Sequence, residues 1–113
     1  MFVNPDNLSE YEKNQFSHVG EGLFVRMTER EFRLENRNRL VFGFLFNGKF
    51  SAREQVRIMK RSERKHKADK SRLRKSLIDR LKKHPDQTEY YFGDGNDRSP
   101  DELATVLRRL SSY

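Results

Sequence analysis

A chain of 113 residues with 36% charged and 34% hydrophobic side chains falls in the range of a single domain, residues 1–113, with one modest core to which the nine Phe should contribute heavily. It has no Cys, which excludes disulfides and thiolate metal sites and is compatible with a reducing compartment. No apolar run approaches the ~18 to 20 residues that span a bilayer, and Met1-Phe2-Val3-Asn4-Pro5-Asp6 has neither part of a signal peptide, so the expected location is the cytoplasm, the nucleus or a nucleoid.

In chain order, Ser9-Glu10-Tyr11-Glu12 matches a capping box and predicts a short helix to about Phe16. After Gly20 and Gly22, Leu23, Val25 and Met27 alternate with Phe24 and Arg26, as in a strand covered on one side. Phe32 and Leu34 alternate with charged neighbours, Asn36-Arg37-Asn38 offers a turn, and Leu40 to Phe46 is the most apolar run, so the sequence reads as an antiparallel meander. Asn47-Gly48 supplies a tight turn, and Ser51-Ala52-Arg53-Glu54 opens a second capped helix.

No Pro or Gly interrupts the chain from Ser51 to His84, which allows one helix to about Lys83. On its wheel Ala52, Val56 and Met59 share a face with Leu73, Leu77 and Leu81, but Glu63, His66 and Lys70 occupy that face between them. Two arrangements fit: a continuous helix whose middle projects from the core, favoured by helix propensity, or a break near residues 62–69 into two helices. Glu89 to Phe92 then reads as a short strand and Gly93 to Asp97 as a polar turn. Ser99-Pro100-Asp101-Glu102 starts an amphipathic helix with Leu103, Val106, Leu107 and Leu110 as its apolar stripe. The expected fold is α+β: a small antiparallel sheet of three to four strands, a long basic central helix and a C-terminal amphipathic helix, the sheet packing on the latter and on the apolar ends of the former.

The charge is concentrated. Residues 51–83 hold fourteen Lys or Arg against four acids, which leaves ten bases against thirteen acids elsewhere, so the whole net +7 originates in this segment. Arg53, Arg57, Arg61, Arg64, Lys65, Arg72, Lys75, Lys82 and Lys83 fall within about a third of the circumference of an ideal helix, with Lys67 beside them. Such a stripe can follow a phosphate backbone, whereas pairs such as Glu63 with Lys67 and Asp79 with Lys83 could neutralise only a small part of it. The leading expectation is therefore a noncatalytic nucleic-acid-binding protein that touches phosphate, DNA being favoured over RNA because an α-helix fits the DNA major groove. The competing reading is a regulator or inhibitor that docks the same cations on an acidic protein partner or in the nucleic-acid channel of a larger enzyme.

The remaining patterns carry less. Leu73, Leu77 and Leu81 lack the seven-residue repeat of a leucine zipper, since Arg80 stands seven beyond Leu73. Phe42-Gly43-Phe44-Leu45-Phe46 resembles the core of an RNA-recognition-motif strand over five residues, which would imply bases stacked on the rings; a chain this poor in apolar residues has more need of those rings in its core. His18, His66 and His84 lack metal-site spacing, and no cofactor is expected. Asp94-Gly95-Asn96-Asp97 suits a turn better than a calcium loop. A metal-independent ribonuclease using His84, Tyr90 or Arg98 ranks below both binding readings, with no motif behind it.

Overall fold

A computed structural model describes residues 1–36 and 50–112. The architecture is α+β, as expected, and it divides into two units: Met1–Thr28 with Arg74–Tyr113, and Glu29–Leu73. The elements are α1 (Glu10–Lys13), β1 (Phe16–Gly20), β2 (Leu23–Arg26), helical residues 29–36 (α2), α3 (Ala52–Lys83), β3 (Tyr90–Phe92) and α4 (Pro100–Ser111).

The first unit is built on a three-stranded antiparallel sheet in the order β1-β2-β3. Leu23 lies opposite Phe92 and Val25 opposite Tyr90, while Phe24 lies opposite Tyr91 and His18. Alternation therefore sends Leu23 and Val25, both fully buried, to one face with Phe92, and Phe24 to the other. Leu77, Ile78 and Leu81 from the last turns of α3 and Leu103, Val106, Leu107 and Leu110 from α4 complete this core. On the opposite face, Phe24 stacks on Tyr91 at 4.8 Å between centroids, and Phe16 meets Tyr91 edge-on at 5.1 Å. At the N-terminus, a parallel bridge joins Phe2 to Tyr90, where the Val3 amide donates to the Tyr90 carbonyl at 2.8 Å.

Several elements follow their sequence signals. The Ser99 hydroxyl accepts from the Glu102 amide at 3.3 Å, the Ser9 hydroxyl from the Glu12 amide at 3.2 Å and the Ser51 hydroxyl from the Glu54 amide at 3.3 Å, so each cap satisfies a donor of its first helical turn. Gly95 has φ +74°, and the Asn96 amide donates to the Asp94 carboxylate at 3.0 Å, an Asx turn at the position read as one.

Other expectations are corrected. α1 ends at Lys13, and Phe16 already belongs to β1, a strand the sequence reading missed. Residues 29–36 are helical, which overturns the strand expected around Phe32 and Leu34; the Arg33 guanidinium pairs with Glu29 one turn back at 2.7 Å, and Leu34 is exposed. The Leu40 to Phe46 run, the Phe42 to Phe46 aromatics and the Asn47-Gly48 turn lie outside the described residues. α3 is helical throughout residues 62–69, with no break there. Only its carboxy-terminal apolar residues are buried, since Ala52 and Val56 are exposed. Among the described Phe, Phe16 and Phe92 are buried and the others half-buried, so aliphatic side chains carry more of the core than composition suggested.

Candidate nucleic-acid interface

In the second unit, α3 sorts its residues by side. Gln55, Ile58, Met59, Ser62, His66, Asp69 and Leu73 are half-buried, and their spacing of three or four residues, or multiples of a turn, places them along one side of the helix. Of the polar residues that interrupt the apolar wheel, His66 lies on this partly covered side together with Ser62 and Asp69, whereas Glu63 and Lys70 are exposed, so the side never becomes a closed core. Arg53, Arg57, Arg61, Arg64 and Lys67 lie away from that stripe, Lys65 and Arg72 border it on the Ile58 side, and all seven are exposed. From Arg53 to Arg72 the rise is ~28 Å at 1.5 Å per residue.

In the first unit the same helix divides its bases between two tasks. Arg74 donates its Nε to the Val19 carbonyl at 2.6 Å, and Arg80 donates Nη2 to the Arg26 carbonyl, so these two arginines tie α3 to the ends of β1 and β2. Each supplies a charged donor to a strand carbonyl, the stronger class of hydrogen bond. Lys75, Lys82 and Lys83 are exposed. All ten cations singled out from the sequence thus face solvent, and the two arginines that the fold uses were not among them.

None of the ten forms an ion pair with an acid among the described residues; the expected partners Glu63 for Lys67 and Asp79 for Lys83 are not engaged. Ion pairs occur elsewhere: Arg26 with Glu89, Arg98 with Asp94, and Arg109 with Glu21 at 3.4 Å. Among the described residues the cationic surface therefore has no acidic counterions, and solvent and salt screen its self-repulsion.

Around β3, burial pushes the Tyr90 phenol above its ordinary value, reinforced by the negative charges of Asp97 and Asp86, and burial alone does the same to Tyr91. The Asn96 amide, above all, holds the Asp94 carboxyl below its ordinary value, against the opposing effect of desolvation and with further help from the charge and hydrogen bond of Arg98. Arg98 also lies over the Phe92 ring at 4.8 Å. His84 is exposed, and its carbonyl accepts from the Thr88 hydroxyl at 2.8 Å.

Among the described residues no three His, Cys, Asp or Glu side chains are grouped to hold a metal ion, and no helix is long and apolar enough to cross a membrane. A further exposed cation that the sequence did not single out is Arg108, in the last turn of α4, the helix whose Ser111 accepts from Lys82 of α3. No protein-family model, curated protein or solved structure matches the chain.

Proposed function

We propose that the protein is a noncatalytic nucleic-acid-binding protein that contacts the phosphate backbone through the basic side of α3. One observation carries this reading: seven Lys and Arg side chains of the second unit lie exposed along ~28 Å of one helix, with none neutralised by an acid among the described residues. A phosphodiester chain would supply the missing anions, and releasing its condensed counterions would drive association. The half-buried polar side chains of α3 lie on the other side, so α3 offers the ligand cations that position a backbone more than groups that read bases. The width of the B-DNA major groove favours duplex DNA over duplex RNA as the ligand of a helix.

The test is an anisotropy titration of labelled duplex DNA, duplex RNA and single strands at several salt concentrations. Binding should weaken with a slope of log K on log salt of about −0.9 for each phosphate neutralised on B-DNA. No binding at low salt, or an affinity indifferent to salt, would overturn the reading. The regulator reading uses the same cations, and a stoichiometric protein partner that survives nuclease treatment and moderate salt would favour it instead.

A further inference from the structure

The two arginines in the last turn of α4 have different surroundings. Arg109 is turned toward the Glu21 carboxylate at 3.4 Å, whereas Arg108 is exposed and has no ion pair among the described residues. Ser111 stands three residues beyond Arg108, which puts both on one side of α4. On that side the Lys82 ammonium of α3 donates to the Ser111 hydroxyl, and that hydroxyl donates in turn to the Leu107 carbonyl at 2.6 Å. The contact joins Lys82 of α3 to the residue that stands one helical turn beyond Arg108 on α4.

We propose that Arg108 and Lys82 form a two-helix phosphate clamp, with Ser111 as the positioning residue for the Lys82 ammonium. This rests on the nucleic-acid reading and adds to it a contact from an element outside the basic segment. The chemistry fits a phosphodiester. One N–H of the ammonium is engaged by Ser111 and two are left, and the planar Arg108 guanidinium can present paired donors to phosphate oxygens. The Ser111 hydrogen is already given to Leu107, so this hydroxyl orients the lysine and does not itself donate to ligand.

Two local features work against a merely decorative role for these charges. Basic residues at a helix C-terminus do complement the helix dipole, yet that requirement is already served at α4 by Arg109 and at α3 by Arg80 and Lys83. Asp79, on the exposed side of α3 one turn before Lys82, is the nearest acid in sequence, and it forms no ion pair with Lys82 or Arg108. Lys82 is thus held by a neutral hydroxyl rather than by a carboxylate, and a phosphate bound between it and Arg108 would supply the anion that both cations lack among the described residues.

The full-length chain tests this with Arg108→Gln, Lys82→Gln, the double variant, Arg108→Lys and Ser111→Ala, compared with Lys13→Gln, which removes an exposed charge on α1. Labelled duplex DNA is titrated across a salt series. Each single loss at Arg108 or Lys82 should make the salt slope shallower by about 0.9, and the double loss by about twice that, while Lys13→Gln leaves it unchanged. Arg108→Lys should retain the slope, because it retains the charge. Ser111→Ala should keep the slope and weaken binding severalfold, as expected of a residue that only positions a cation. If the wild-type chain binds DNA with steep salt dependence but Arg108→Gln behaves as Lys13→Gln does, the clamp is refuted and the α3 interface stands. If the wild type shows no salt-dependent binding to nucleic acid, both fall together.

Discussion

Gly20→Ala should destabilise the first unit far more than Gly22→Ala, although the two positions share one turn. Gly20 sits at the register shift between β1 and β2 with φ +124°, and a Cβ there would come within 2.6 Å of Leu110 Cδ2 and 3.3 Å of Arg74 Nη2. The backbone conformation alone costs a non-glycine residue about 1 to 3 kcal/mol. The neighbour adds to this, because Leu110 is only 4% exposed and cannot swing its methyl into solvent, and overpacking of this kind costs about 1 to 3 kcal/mol. Gly22 has φ +74°, and a Cβ at that position would meet nothing within 4 Å, so its substitution carries only the backbone cost, at the lower end of about 1 kcal/mol. With a urea dependence of about 1.5 kcal/mol/M, the midpoints should fall by roughly 2 M for Gly20→Ala and roughly 0.7 M for Gly22→Ala. Equal shifts would show that Leu110 is not packed against the turn, and the placement of α4 on the end of β1 would have to be abandoned.

The core can be tested at the carboxy-terminal end of α3: Leu81→Ala, at a fully buried position, should cost about 2 to 5 kcal/mol in urea denaturation, against less than about 0.5 kcal/mol for Val56→Ala, which is 51% exposed. Folding raises the Tyr90 and Tyr91 phenols above the ordinary value of 10.0, so the stability linked to their neutral forms is present below pH 10 and is lost as pH rises from there through the raised values; the ultraviolet phenolate titration of the folded chain should lag behind that of the urea-unfolded chain. Replacing Arg57, Arg61 and Arg64 together by Gln should make the salt slope of duplex binding shallower by about 2.7, with helix content retained in circular dichroism, and an unchanged slope would remove these residues from the interface.

How much of this was legible in the sequence depends on whether a feature is local. α4 was readable because Ser99, Pro100 and the acids of its first turn are each a start signal, and Leu103, Val106, Leu107 and Leu110 repeat at helical spacing. β1 was not, because Phe16, Ser17 and Val19 are all buried: Ser17 and Val19 face the core, while Phe16 is covered on the other face by Tyr91 and by the Arg26 guanidinium 4.7 Å from its ring. Cross-strand cover erased the alternation. The helix at residues 29–36 did carry a signal, Thr28 with Glu31 three residues later, the same capping-box pattern that was read correctly at Ser9 and Ser51; the brief alternation of Phe32 and Leu34 competed with it. The exposed side of α3 followed from the wheel alone, whereas the contact of Lys82 with Ser111, on which the proposed pairing with Arg108 rests, is tertiary and has no periodic signal.

The economy of α3 bears on function more than the size of its charge does. Its acids could have been used to neutralise it, since Glu63 stands four residues before Lys67 and Asp79 four before Lys83, the favourable order for helical pairs. Those pairs do not close, while Arg74 and Arg80 are each given a carbonyl of the sheet and Arg109 is given Glu21. The fold thus satisfies the bases that it needs for its own packing and leaves exposed the ones that it does not. A surface kept cationic only for solubility would be served as well by mixed signs, which avoid the repulsion. On the proposed reading an external polyanion takes the place of the missing carboxylates and offsets that repulsion, and a phosphate backbone supplies such charges at a closer spacing than the helix supplies cations.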